Sequence, residues 1–136
     1  MTEARPHLIA LVCCVMVILG LLHYAALTFF FYWQIWWFDI VMHFLGGLAV
    51  GLLTCWAAIV LHEVLGITIS KKALLLSVML GIVLVAGSWE IFEYYYKLYS
   101  TFAYKADTSL DVIMGIVGAA GGYVYGARLM FPRVLN

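Results

Sequence analysis

Residues 73–99 read ALLLSVMLGIVLVAGSWEIFEYYYKLY, an apolar run that closes on two carboxylates, Glu90 and Glu93. The run is longer than the roughly 20 residues that an α-helix needs to cross the hydrocarbon core of a bilayer. It therefore predicts a transmembrane helix. A charged side chain inside such a helix costs about 3 kcal/mol or more, so these two acids indicate a partner or a function.

The composition of the whole chain supports the same class of protein. Of its 136 residues, 67% are hydrophobic and 10% are charged, which is far from the composition of soluble proteins. The formal net charge is zero and no basic face is present, which excludes a nucleic-acid partner. The cysteines lie in apolar runs without metal-ligand spacing, and we interpret them as packing residues.

Three further apolar runs predict three further membrane helices. The expected bounds of the four helices are about 7–32, 39–66, 73–99 and 108–130. Aromatic residues at 29–38 mark the first turn at the membrane-water boundary. The predicted fold is all-α, an integral membrane four-helix bundle that forms a single transmembrane domain over residues 1–136. No small-residue cleavage site follows the first run, so we expect an uncleaved anchor.

The distribution of basic residues predicts the orientation of this bundle. Lys97 and Lys105 fall at one side of the membrane, and the other side carries Arg5, Lys71, Lys72, Arg128 and Arg133. The positive-inside bias places the larger group, and with it both termini, in the cytoplasm. We expect the cell (inner) membrane of a bacterium or archaeon.

Ionisable residues from all four predicted helices then fall in the outer leaflet, so that a site there faces outward. They are His23, Asp39, His43, Glu90, Glu93, Asp107 and Asp111. The members of each close pair are three or four residues apart, which places them on one face of a helix. The topology therefore permits them to converge on one site.

Stripes of small residues indicate which helix faces point inward. The second predicted helix carries Gly47, Gly51, Thr54 and Ala58, and the fourth carries Gly115, Gly118, Ala119, Gly122 and Gly126. Such spacing lets helix backbones approach closely in membranes. His43 and Asp111 continue these stripes, so we expect them to face neighbouring helices. An alternative interpretation is that the stripes form only a glycine zipper, which needs no acidic residue.

The charge of closely spaced acids must be offset, because two carboxylates in a low dielectric resist ionising together. A divalent cation, a shared proton, or ion pairs with Lys97 and Lys105 would each do so. For a metal site, the predicted ligands are Glu90, Glu93, Asp107 and Asp111. A carboxylate set with one histidine suits Mg²⁺, Mn²⁺ or Ca²⁺ better than a structural zinc site, while zinc in an open catalytic site stays compatible.

Two residues of the second predicted helix would complete the site. His43 would act as a ligand or general base, and Asp39, one helical turn away, would orient it. A second interpretation applies to Asp39 and Asp107, because an aspartate at the start of a helix is a favoured cap.

Three motifs resemble those of known membrane proteins. They are D-I-V-M-H-F-L-G-G at residues 39–47, W-E-I-F-E at 89–93, and D-T-S-L-D-V-I-M-G-I-V-G at 107–118. In this order they resemble the VanZ-like proteins and, more closely, the YjdF-like family of bacterial inner-membrane proteins. Glu93 and Gly115 stand where the VanZ-like pattern often has Gln and Asn, which favours the YjdF-like relative.

The resemblance implies a compact polytopic bundle and, for some VanZ-like members, a part in glycopeptide-antibiotic resistance at the cell envelope. It does not imply a settled reaction. The positions that it carries over are Asp39, His43, Glu90, Glu93, Asp107 and Asp111.

Our leading hypothesis is a membrane protein whose acidic and histidine pocket binds a divalent cation, a polar lipid or another envelope ligand. The sequence leaves open whether it is an enzyme. As an enzyme it would catalyse metal-assisted hydrolysis or transfer at lipid headgroups or lipid-linked phosphates. One alternative is a non-enzymatic envelope-ligand binding or antibiotic-resistance protein, and a second is a transporter or channel built as a homo-oligomer.

Overall fold

A computed structural model describes residues 4–96 and 104–131 of the chain. The helices are α1 (Ala4–Phe29), α2 (Phe31–Gln34), α3 (Phe38–Leu65), α4 (Lys71–Tyr96) and α5 (Tyr104–Met130). Four of them, α1, α3, α4 and α5, are long and apolar enough to cross a membrane. Within the described ranges no strand is present, so the predicted all-α, four-helix membrane class is confirmed. The cytoplasmic placement of both termini stays a prediction.

The first membrane helix ends at Phe29 rather than near residue 32. Phe30 adopts a left-handed backbone, with φ 60° and ψ 34°, which breaks the helix and starts the single turn α2. This conformation costs a non-glycine residue about 1–3 kcal/mol. Packing offsets the cost, because Tyr32 meets the ring of Phe38 edge-on at 5.4 Å. The break places α2 over one end of the bundle, called the α2 end below.

Helices α3 and α5 form the closest pair in the bundle. A Cβ atom added at Gly118 would overlap the carbonyl oxygen of Phe44, and one added at Gly122 would lie 2.7 Å from the carbonyl oxygen of Leu48. The two backbones are therefore in direct contact, which is how small residues stabilise helix pairs in lipid. Helix α3 also packs against α1 and α4 and so lies at the centre of the fold.

Helix α4 presents every fourth residue to the interior. Its buried residues are Leu74, Val78, Ile82, Ala86 and Glu90. The first four are apolar, and Val78, Ile82 and Ala86 pack with Ala119 of α5. Glu90 continues the stripe, so the register of α4 directs this carboxylate into the bundle at the α2 end.

Helices α1 and α4 flank α3 without approaching each other. No Cα atom of one lies within 8 Å of a Cα atom of the other among the described residues. Side chains meet across the gap, for example His23 and Trp89, whose ring centroids are 6.3 Å apart. The space between the two helices is an apolar groove.

Candidate functional site

Three membrane helices bring ionisable side chains together at the α2 end. Helix α3 contributes Asp39 and His43, α4 contributes Glu90 and Glu93, and α5 contributes Asp111. His43 lies in the middle, with its Nε2 atom 3.6 Å from Oδ1 of Asp39 and 3.9 Å from Oδ2 of Asp111. The five residues thus form one cluster from three helices.

The cluster contains two overlapping triads with metal-ligand chemistry. One comprises Asp39, His43 and Glu93, and the other comprises His43, Glu90 and Asp111. In each triad, one ligand atom per residue lies within 4.8 Å of the others. Neighbouring ligands of a Mg²⁺ ion, at about 2.1 Å from the metal, are about 3 Å apart. Small side-chain rotations would therefore close either triad around an ion.

Glu90 is the residue whose environment is hardest to explain without a ligand. Its side chain is nine-tenths buried, with a relative exposure of 9%. Neither carboxylate oxygen has a hydrogen-bond partner among the described residues. Burying a polar group without a partner is unfavourable, and burying a charge is more so. The carboxylate therefore requires a partner that the described residues do not supply, such as a cation.

A second layer of side chains borders the cluster on its α1 side. The hydroxyl of Tyr32 is 2.8 Å from Nδ1 of His23, within hydrogen-bond distance. Burial raises the pKa of Tyr32, and the carboxylates of Asp39 and Glu93 raise it further. Tyr32 therefore holds its proton and lies close enough to both acids to sense their charge.

The arrangement lies within residues 1–131, which match the family described as "Predicted membrane protein (DUF2238)". The chain belongs to this family. The match shows a membrane protein, and its description adds no activity. Neither the curated proteins nor the solved structures contain a match to the chain.

For this DUF2238 member, the resemblance to the VanZ-like and YjdF-like proteins implies six site positions, and the structure places five of them in the cluster. The sixth is Asp107, whose side chain lies outside the described residues, as do those of Lys97 and Lys105. Asp39 and Asp107 do not cap their helices. Trp37 occupies the N-cap position of α3, so that Asp39 lies in the first turn, where the helix dipole still favours negative charge, and α5 begins at Tyr104.

The predicted packing residues of the DUF2238 chain lie between α3 and α5. Gly47 faces Gly115, and Gly126 faces Cys55, whose Cβ would be 2.5 Å from an added Cβ. These contacts set the separation of α3 and α5, and hence of His43 and Asp111, which lie one turn further toward the α2 end.

Tyr32 is a residue of the site that the sequence analysis did not identify. It lies in the aromatic block at 29–38, where an aromatic side chain is typical of a membrane boundary and carries no further signal. The only available indication was its position seven residues before Asp39. The left-handed turn at Phe30, which brings it over His23, has no local sequence signature.

Proposed function

We propose that this protein binds a divalent cation between α3, α4 and α5, with ligands drawn from Asp39, His43, Glu90, Glu93 and Asp111. The observation that supports the proposal most directly is the buried Glu90 carboxylate, whose oxygens have no hydrogen-bond partner among the described residues. It lies within 4.8 Å of ligand atoms on His43 and Asp111. A cation there offsets the charge of several acids at once.

The donor set favours Mg²⁺, Mn²⁺ or Ca²⁺, because it is dominated by carboxylate oxygens, and Zn²⁺ in an open site fits as well. Both triads share His43, and its Nε2 atom can bind only one ion at a time. We therefore expect one ion per chain, with the carboxylates of the other triad holding its water ligands. Asp107 stays a proposed ligand, one helical turn before Asp111.

The activity that we propose for this centre is binding or turnover of a polar lipid, a lipid headgroup or a lipid-linked phosphate at the outer face of the cell membrane. A bound cation would polarise a phosphoryl oxygen or activate a water molecule. His43 would be either a ligand or a general base, and in the second role Asp39, whose Oδ1 lies 3.6 Å from Nε2, would orient the ring. We also propose that the protein is related to the YjdF-like proteins.

One observation favours binding without covalent catalysis. Ser88, a hydroxyl beside the site, donates a 2.7 Å hydrogen bond to the carbonyl oxygen of Leu84 in its own helix. Its proton is therefore held by the backbone rather than by a general base, and it is a poor nucleophile. This argues against a covalent intermediate on Ser88, whereas attack by a metal-activated water would need no such nucleophile. A non-enzymatic envelope-ligand or antibiotic-resistance protein is our second candidate.

The cation site is tested by Mn²⁺ titration of the purified protein in detergent, with Glu90→Gln as the variant. Glu63→Gln is the matched control, because Glu63 lies at the opposite end of α3 in an ion pair with Arg5. We expect one Mn²⁺ per chain in the wild type and the control, and at least a tenfold weaker affinity in Glu90→Gln. Absence of binding in the wild type would refute the proposal.

The conservative variant Glu90→Asp separates the two candidates. Shortening the side chain shifts a ligand by about one bond length, and a misplacement of about 1 Å can cost 100-fold in rate. An enzyme acting on a lipid phosphate would therefore lose turnover while retaining Mn²⁺. In a binding protein, the affinity for the ligand would fall only as far as the affinity for Mn²⁺ falls.

A further inference from the structure

The groove between α1 and α4 leads directly into the proposed cation site. It has a volume of about 880 Å³, and Asp39 and His43 line its polar end together with His23 and Tyr32. Beyond them the walls are almost entirely apolar, with Met16 and Leu19 on α1 and Val85 on α4 among the lining residues. The same two side chains, Asp39 and His43, thus belong to the groove and to the metal triads.

The length of the groove matches one leaflet of a bilayer. Its α1 wall runs from Val12 to His23, which at 1.5 Å per residue is about 16 Å. Half of the hydrocarbon core of a membrane is about 15 Å thick. A hydrocarbon chain anchored by its headgroup at His23 and His43 would therefore fill the groove to its apolar end.

The size of the groove is typical of a small-ligand site. Pockets that bind small ligands are about 300–1,000 Å³, and the groove lies in this range at about 880 Å³.

We infer that the groove holds one hydrocarbon chain of a membrane lipid whose phosphate headgroup binds at the acidic and histidine cluster. The inference rests on the proposed cation site, because without a cation the carboxylates of Asp39 and Glu93 would repel a phosphate. A bound cation with an open coordination position would give the phosphate a positive partner at this end of the groove. The lipid enters sideways from the bilayer, through the gap between α1 and α4.

Two glycines of the membrane helices provide a matched pair of variants. Gly20 lines the groove, and a Cβ added there has no neighbour within 4 Å, so the indole of Gly20→Trp would occupy part of the groove. Gly87 on α4 has equally open surroundings but does not line the groove, so Gly87→Trp is its control.

The experiment uses phosphatidic acid with a photoactivatable group on one acyl chain, in vesicles that contain the purified protein and Mn²⁺. Diacylglycerol with the same chains serves as the headgroup-free probe. We expect labelling of the groove walls at residues 12–23 and 82–92 to be at least fivefold lower in Gly20→Trp than in the wild type and in Gly87→Trp. Phosphatidic acid should label at least fivefold more than diacylglycerol, and only when Mn²⁺ is present.

Failure of this inference can be distinguished from failure of the cation site by titrating all three proteins with Mn²⁺. Normal Mn²⁺ binding with equal labelling in Gly20→Trp and the wild type would overturn the groove inference and leave the cation site intact. Equal labelling by both probes would overturn the phosphate headgroup. Cross-linking of α1 to the α4 of a second copy would also overturn the inference, because the occupant would then be protein.

Discussion

Replacing Glu90 with methionine should make the metal-free protein more stable. The substitution removes a carboxylate that is nine-tenths buried and has no hydrogen-bond partner among the described residues. A buried, unsatisfied polar group costs about 1–3 kcal/mol. Methionine has a similar length and extends the apolar stripe of Ile82 and Ala86. We therefore expect the free energy of unfolding of Glu90→Met to exceed that of the wild type by about 1–3 kcal/mol in chelator.

Adding the cation should remove or reverse this difference. A ligand present at 100 times its Kd stabilises the folded state by about 2.7 kcal/mol. The wild type would gain this amount in Mn²⁺, whereas Glu90→Met, which lacks a central ligand, would gain little. The measurement is unfolding in detergent with chelator and with Mn²⁺, for both proteins.

Glu63→Met is the control for the loss of an acid from a membrane helix. Glu63 forms a 3.3 Å ion pair with Arg5, and pairs of this exposed kind contribute about 1 kcal/mol or less. The control should therefore be slightly destabilised, with or without Mn²⁺. If Glu90→Met is less stable than the wild type in chelator, the carboxylate is a structural partner, for example of Lys97, and the reasoning is refuted.

Three further predictions concern packing and electrostatics elsewhere in the bundle. Gly118→Leu should destabilise the protein by about 3 kcal/mol in thermal unfolding, since the leucine side chain would overlap the α3 backbone. Gly121→Leu is the control: a Cβ added at Gly121 would meet one side-chain atom at 3.9 Å, so this variant should cost less than about 1 kcal/mol. The raised pKa of Tyr32 means that the folded state holds this proton more tightly than the unfolded state. Its contribution to stability is thus complete below about pH 10 and is lost at higher pH, so unfolding measured from pH 9 to 11.5 should show a steeper decline in the wild type than in Tyr32→Phe. Arg5→Ala should change stability by less than about 1 kcal/mol, and high salt should abolish even this difference, because its partner Glu63 is also accessible to solvent.

The membrane class and the close α3–α5 pair can be predicted from local patterns in the sequence. Length and hydropathy are sufficient for the helices, and small residues at every fourth position of α3 and α5 indicate where backbones meet. The stripe from Leu74 to Glu90 on α4 is visible only in the structure, because exposed positions such as Leu80 and Leu84 are equally apolar.

The assembly of the site could not be predicted from sequence in the same way. Lipid is as apolar as the interior of the bundle, so a membrane helix lacks the polar face that reveals the orientation of a surface helix in a soluble protein. The rotation of α4 that brings Glu90 near His43 and Asp111 depends on contacts between helices remote in sequence. The position of Tyr32 depends on a backbone reversal at Phe30, a residue type that rarely adopts it.

The direct contact between α3 and α5 has a consequence for how the protein is made. These two helices are separated in the chain by α4, and synthesis from the end of α4 at Tyr96 to Met130 takes about 2–7 s at 5–20 residues per second. During that time α3 and α4, which carry His43 and Glu90, are already made, whereas α5, which carries Asp111, is still being synthesised. The last helix to be made, α5, thus carries both the glycines that pack against α3 and the aspartate that completes the cluster.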